Sequence, residues 1–472
     1  MKYDYDLICI GLGPAGMAVS IMGSEMGLKV CSIEKYKIGG ECMNVGCIPS
    51  KAILRVAQNR ERAIQVLKSA GAALPEFRGL EKSIFEKIQR DIKYINEKKT
   101  MGMFDKVDLI LGQGEASFVD PHTVKVGDRQ VTAKRIFIAT GTEPVIPPIE
   151  GIETVDYLTN NTMFHLEEIP ESMTIIGGGA IGCEMAQAFT RLGCRCTIIH
   201  MDPYLLPAGD PSAGELLQTA FEQQGMTVYN AKTISRVAER DGQVEVTTQD
   251  GISVVSTKLL IAAGRRIPVE SLKLENAGVE CGRKGITVNR NLRTSQPHIY
   301  AVGDCNGHYL LSHAAMHQGM LALMNCMMPG FLRFKFDTFM VPWTVFVEPE
   351  VSCVGLNEQQ LRKRGIRYET ITVKYEDYGA AIAEDIGQGF VKVFAGALGK
   401  IYGVCIVGEG SGEMINEWAL AIQKKARMHE IMFLQHSFPT MGFLSKRVAE
   451  TWMMGKMKSP VLKNICRFFF RI

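Results

Sequence analysis

The stretch DLICIGLGPAGMAVSIMGSEMGLKVCSIEK, residues 6–35, decides how this chain is read, because a second copy of it follows. MTIIGGGAIGCEMAQAFTRLGCRCTIIHM, residues 173–201, superposes on it without a gap, so that Gly11, Gly13 and Gly16 fall on Gly177, Gly179 and Gly182, an offset of 166. Each copy runs from an apolar strand through a glycine turn into a helix of small residues, and then into a second strand. One G-x-G-x-x-G is a weak signal, but two in the same strand–turn–helix setting point to two dinucleotide sites. In that motif the first glycine makes the tight turn, the second admits a pyrophosphate to the backbone, and the third lets helix and strand pack closely. The phosphates then meet the free N–H groups and the dipole of a helix N-terminus.

An acidic side chain near the end of the second strand normally takes a ribose hydroxyl. In the first copy it is Glu34, 23 residues after Gly11; the same count from Gly177 reaches His200, which is not acidic, with Asp202 two positions on. Two later strands also match, RIFIATGTEP (135–144) and KLLIAAGRRIP (258–268), each carrying a glycine after it, Gly141 and Gly264. Two helices are expected between the repeats, over 51–69 and on the face marked by Ile84, Ile88, Ile92 and Ile95. TSQPHIYAVGDCNG (294–307) returns to strand and loop. Beyond Phe339 come strands with turns and a helix near 411–427. The expected architecture is α/β, with two Rossmann-like dinucleotide-binding domains and a C-terminal α+β domain.

Length and composition agree. The 472 residues suffice for about three domains and are 46% hydrophobic and 22% charged. A formal charge of +3 gives no reason to expect a nucleic-acid partner. No apolar run reaches the roughly 18 residues of a membrane span, and the N-terminus lacks the features of a signal peptide. Thirteen cysteines, an odd number, are scattered through the chain, which suits a reducing, cytoplasmic setting. Cys9, Cys183 and Cys405 lie in apolar runs and read as core residues.

Only Cys42 and Cys47, in GGECMNVGCIPSKA (39–52), sit in a glycine-flanked, loop-like setting. They are not expected to be a metal site, because no second Cys/His pair follows at ligand spacing. A disulfide needs Cα atoms about 4.4–6.8 Å apart, whereas five residues of regular helix rise about 7.5 Å, so a bridge requires irregular backbone. Asn44 and Gly46 permit it, and Pro49 suits the first turn of a helix. Cys47 would then lie beside a helix N-terminus, which favours a thiolate. A working dithiol fits this pattern better than a structural brace.

These segments resemble the FAD-dependent pyridine nucleotide–disulfide oxidoreductases, the family of dihydrolipoamide dehydrogenase, glutathione reductase and mercuric reductase, from the N-terminus to about residue 443. GGECMNVGCIPSK resembles the redox-disulfide segment, YAVGDC (300–305) a second FAD segment, and VFVEPEVSCVGLNEQQL with GFVKVF the dimerisation domain. The resemblance implies an FAD domain from 1–150 and 272–338, an NAD(P) domain from 151–271, a dimerisation domain from 339–443 and an extension from 444–472. It implies catalytic roles for Cys42, Cys47, Lys51 and Glu184. FAD would be held by Gly11, Gly13, Gly16, Glu34, Lys51, Gly141, Gly303 and Asp304. The nicotinamide cofactor would lie against Gly177, Gly179, Gly182, Glu184, His200 and Gly264, and Lys51 would pair with Glu184. Hydride would pass from nicotinamide to FAD and electrons on to the disulfide, with Cys47 facing the flavin and Cys42 exchanging with a small dithiol, disulfide or lipoyl protein. The chain would act as a homodimer. With no arginine in HMDPYLLPAG (200–209) to clamp a 2′-phosphate, NADH is the expected cofactor rather than NADPH.

The chain departs from the pattern at HSFPTMGF (436–443), where the family commonly has a histidine and a glutamate as acid/base pair: here Phe438 and Phe443 stand at those positions. A general acid/base contributes about 10²–10⁴-fold, so the loss is large unless His436 substitutes, or water or the substrate serves. The run after it leans toward the mercuric reductase branch, but only Cys466 is available near the C-terminus for metal delivery. An electron-transfer subunit serving a protein partner is the alternative function. The extension 444–472 carries seven Lys/Arg and one acidic residue, and after Pro460 its apolar residues recur at helical spacing. It reads first as a helix packed on its own dimer. The alternative is a helix at a membrane interface, which would put the protein peripherally on an inner membrane face.

Overall fold

The computed structural model describes residues 2–73 and 81–471. The chain divides into two compact units, one of 1–177, 188–196 and 234–337, the other of 178–187, 197–233 and 338–472.

The first unit is built on the parallel strands Asp108–Leu111, Val30–Glu34, Tyr5–Ile10, Arg129–Ile138 and Ile299–Ala301, side by side in that order. An antiparallel meander, Ala116–Asp120 and Thr123–Val126, continues from the fourth. Strands covered on both faces read as continuous apolar runs, and Ile8, Ile10, Ile33, Ile136, Ile138 and Ile299 are all buried. Helix Pro14–Glu25 follows the first glycine turn, its N-terminus opened by Gly13 with Pro14 in the first turn. Its small residues Ala15, Gly16, Ala18 and Gly23 are buried. Ile84, Ile88 and Ile92 are buried along helix Glu81–Tyr94, whose regular winding stops before Ile95.

The repeat is visible in three dimensions. A side chain on Gly11 would overlap the carbonyl oxygen of Ala139, and one on Gly177 would overlap that of Ala262, the matching residue of the second copy. A side chain on Gly13 or Gly179 would meet nothing within 4 Å. The first glycine of each copy therefore serves packing and the second leaves open space. The strand segments after these turns pair with each other: Arg265 lies opposite Pro144 and Arg266 opposite Glu143, with Val145 N–H bonded to Gly264 O at 3.0 Å.

In the second unit, five antiparallel strands run in the order Trp343–Val345, Val351–Gly355, Ile401–Val407, Phe390–Ala395, Glu369–Lys374. Helices Ser411–Gln423 and Phe443–Met457 contribute Trp418, Leu444, Val448 and Trp452 to the core formed with Val391, Val393 and Val404. The buried indole Nε1 of Trp418 donates to Ser445 Oγ at 3.1 Å, which satisfies a polar group that burial would otherwise penalise. Among the described residues no helix is long and apolar enough to cross a membrane.

Gly16 is the tightest point of the first turn, since a Cβ there would overlap the Gly11 carbonyl and crowd Cys9 Sγ. Gly16→Ala should move that turn and lower the thermal unfolding midpoint, read by circular dichroism. An unchanged midpoint in this variant would mean that the turn has slack the packing does not display.

Candidate redox site

The backbone between the two cysteines is irregular where a bridge needs it to be. A short helix, Gly40–Asn44, carries Cys42; it stops at Val45, and a new helix, Cys47–Ser69, begins on Cys47 itself. Gly46 makes the reversal sterically possible: a Cβ there would lie 2.9 Å from Glu41 O and 3.2 Å from Cys42 Cα. Asn44 secures the short helix, its Nδ2 donating to Gly40 O at 2.8 Å and Ile38 O at 3.0 Å. The cysteine segment is pinned to the first glycine turn by Gly39 N–H to Leu12 O at 2.8 Å.

The two sulfurs interact. A hydrogen bond to Cys47, then burial, then the neighbouring sulfur's charge hold the Cys42 thiol protonated, well above the usual thiol range. The proton thus stays on Cys42, and the first residue of a 23-residue helix is where a negative sulfur is best stabilised. Ser312 Oγ lies 3.3 Å from Cys47 Sγ and opens helix Ser312–Met327. Sequence reading passed over this serine; its only signal was a hydroxyl at the start of an apolar helical run.

A polar network backs the cysteine segment. Arg265 pairs with Glu41, donates from Nε to Thr142 Oγ1 at 3.0 Å and from Nη2 to Thr142 O at 2.9 Å, and reaches Asn160 Oδ1 at 3.3 Å. Asn160 Nδ2 bonds Val45 O at 3.4 Å, between the two cysteines. Thr142 Oγ1 reaches Asp304 Oδ2 at 3.4 Å. Burial pushes the Asp304 carboxyl up to about 6, opposed by Arg265 and assisted by the charges of Glu41 and Cys47. Burial also raises Glu41, against the pull of Arg265. Glu41, Asn160 and Arg265 were not foreseen as site residues, because residues 41, 160 and 265 converge only in the fold.

The other expected residues lie as follows. The buried Glu34 carboxylate accepts N–H from Leu12 and from Tyr36, both at 2.8 Å, at the end of its strand. Gly303 sits against Ala15 and Ala315, and Gly141 faces open space. Lys51 is half-buried on the helix begun by Cys47. In the second unit, buried Glu184 accepts N–H from Phe346 at 3.0 Å. The His200 ring is buried against Gly178, with Nε2 2.6 Å from Asn230 Oδ1. Lys232 N–H bonds His200 O at 2.9 Å, so the fold brings a lysine beside a segment that is free of cations in sequence. Gly182 is buried and Gly264 faces open space.

The residues of the first turn fit a flavin dinucleotide. Gly13 leaves room beside a helix N-terminus, the Glu34 carboxylate closes the second strand beside that turn, and the hydroxyl of Thr140 is buried without a hydrogen-bond partner. The model for pyridine nucleotide–disulphide oxidoreductases matches residues 5–319, and that for the dimerisation domain of the same family matches 341–446. This chain is a pyridine nucleotide–disulphide oxidoreductase. It is similar to a dihydrolipoyl dehydrogenase of Thermus scotoductus, 36% identical over 459 residues, covering 93% of this chain and 95% of the relative. A mercuric reductase of Lysinibacillus sphaericus is 35% identical over 434 residues, covering 89% of this chain and 77% of the relative. Among solved structures it is similar to the HOCl-induced flavoprotein disulfide reductase RclA from Escherichia coli, with a TM-score of 0.83, 25% identity, and 95% and 100% of the two chains covered. As a member of this family it is an NAD(P)H-dependent flavin enzyme that exchanges electrons with a disulfide, and its dimerisation domain makes it a homodimer.

In this oxidoreductase His436, the residue that could substitute for the missing base, and Phe438 lie in different settings. His436 is turned inward, its side chain 8% exposed, with Nε2 3.0 Å from Glu417 Oε1 and Nδ1 3.2 Å from Leu434 O. Phe438 is 70% exposed and meets Phe443 edge-on at 5.3 Å.

Arg265→Met should destabilise the enzyme by about 1–3 kcal/mol in denaturant unfolding, because Glu41 is left without its partner. Adding Glu41→Gln should return part of the loss, a coupling of about 0.5–3 kcal/mol. Strict additivity of the two changes would show that the ion pair does nothing for the fold.

Proposed function

We propose that this oxidoreductase passes electrons between NADH and a small dithiol or disulfide of the lipoyl class, with residues 1–150 and 272–338 holding FAD and 151–271 holding the nicotinamide cofactor. The reading is carried by one observation: Gly46 folds Cys42 onto the head of the helix that begins at Cys47, so one sulfur keeps its proton while the other sits where charge is stabilised. Bound FAD supplies the two-electron relay between nicotinamide and sulfur. Gly11, Gly13 and Gly16 shape the turn for its pyrophosphate, Glu34 holds its ribose, Gly141, Gly303 and Asp304 line its other end, and Lys51 stands beside its ring. Gly177, Gly179 and Gly182 take the nicotinamide cofactor's phosphates, with Glu184, His200 and Gly264 around it.

The sulfur chemistry then belongs to the chain. Cys42, once deprotonated, attacks one sulfur of a substrate disulfide and releases the other as a thiolate. Cys47 next attacks Cys42 Sγ, which re-forms the disulfide and frees the second substrate thiol. Exchange requires the proton on Cys42 to leave, and no residue at 438 or 443 is able to take it. Both ring nitrogens of His436 already face acceptors, so we assign it a structural role with Glu417. Cys42 therefore deprotonates to solvent or substrate. The aromatic pair at 438 and 443 supports a second reading, in which the dithiol serves a non-lipoyl acceptor or a protein partner.

Because the Cys42 thiol is raised, the thiolate fraction grows with pH. Disulfide reduction should climb roughly tenfold per pH unit between about 7 and 9, with rate following the thiolate fraction. A plateau that begins below pH 8 would reveal a protein base. His436→Ala should change dithiol turnover little; a drop of about 100-fold or more would restore it as that base.

NADH turnover with lipoamide, glutathione disulfide and a panel of small disulfides tests the substrate class. Cys42→Ser should abolish turnover while leaving flavin bound and reducible. Flavin reduction by NADH without turnover on any member of the panel would favour the second reading. Comparison of kcat/KM for NADH and NADPH tests the cofactor, and a strong preference for NADPH would refute the assignment and turn attention to Lys232.

A further inference from the structure

The helix Pro460–Phe470 lies beyond the matched dimerisation domain, which ends at residue 446. At about 100° per residue, Val461, Leu462, Ile465, Phe468 and Phe469 share one side, while Lys463, Asn464, Arg467 and Arg471 share the other. The preceding helix, Phe443–Met457, buries Leu444, Val448, Ala449 and Trp452 in the core of the second unit. Pro460–Phe470 buries nothing: Val461 is 66% exposed, Ile465 49%, Phe468 63% and Phe469 68%. Among the described residues nothing covers its apolar side.

Charge identifies what would cover it. No Asp or Glu follows Glu450 in the sequence; Lys456 is paired with Glu369, but Lys458, Lys463, Arg467 and Arg471 bring four further cations. A second copy of the helix, packed apolar side to apolar side, would cover the phenylalanines but leave both sets of cations facing outward with no complement. An anionic lipid surface offers both complements at once, acyl chains for the phenylalanines and headgroups for the cations. At 11 residues the helix is about 16 Å long, too short to span a bilayer, and suited to lying in its interface. We propose that Pro460–Phe470 is a docking element that seats the dimer on an anionic membrane surface, and so directs the enzyme's electrons toward an acceptor available there.

The test uses the flavin-loaded full-length enzyme and vesicles of phosphatidylcholine, alone or mixed with phosphatidylglycerol. The enzyme should co-sediment with the anionic vesicles, and binding should weaken at high salt because exposed charges are screened. Phe468→Ala/Phe469→Ala should bind about tenfold more weakly or worse. Lys463→Glu/Arg467→Glu should lose the preference for anionic vesicles. Both variants should keep bound flavin and NADH-dependent turnover in solution, because the helix lies outside the redox site. Equal binding to the two vesicle types, or variants that sediment like the wild type, would overturn the proposal. So would a dimer that dissociates in the variants during analytical ultracentrifugation, since the helix would then belong to subunit contact.

Discussion

The close approach of residue 46 to Glu41 and Cys42 is the constraint on which the chemistry depends. Regular helix would carry two sulfurs five residues apart away from each other, and a side chain at 46 would prop the segment open. With hydrogen alone at that position, one helix ends and another begins within two residues, and the sulfurs come into hydrogen-bonding range. The asymmetry of the pair follows from the same geometry. Cys47 heads a long helix and Cys42 sits in a short one, so the proton and the negative charge have separate preferred places.

Holding that segment requires groups from distant parts of the chain. Arg265 arrives at the end of a two-residue pairing with Glu143 and Pro144, which is itself a contact between equivalent parts of the two repeats. From there it binds Glu41, Thr142 and Asn160, and through Thr142 it connects to Asp304. One cation thus faces two carboxylates in a half-buried setting. Burial raises both carboxylates and the guanidinium lowers both, so the loop that carries the cysteines and the residue expected at the flavin respond to the same charge.

The segment 436–443 shows how a familiar frame alters its chemistry. Two phenylalanines in mutual contact take positions where relatives are expected to hold a proton carrier, and the neighbouring histidine is engaged on both nitrogens. Reduction of the disulfide to one thiol and one thiolate would take up a proton, and exchange through the thiol would give one up. With phenylalanine at 438 and 443, both would depend on solvent or substrate. A second surface, cationic and aromatic, leaves the chain at its C-terminal helix and has no counterpart in either unit's core.

Much of this was legible in sequence because it is local. The glycine turns, the apolar strands around Ile8, Ile33 and Ile136, the cysteine segment and the cationic tail are short patterns whose meaning comes from backbone sterics, strand periodicity and charge, and all can be read within about 30 residues. It is the resemblance to the family, and no local pattern, that puts Phe438 and Phe443 where an acid/base pair is expected. What only tertiary structure decided are the meetings of residues far apart: Arg265 with Glu41, Ser312 with Cys47, His436 with Glu417, and Lys232 beside His200. None of these pairs has a spacing that local geometry enforces. Which charges meet, which proton is held and which histidine is already occupied depend on how the sheets and their connections close, and that is settled by packing the whole core at once.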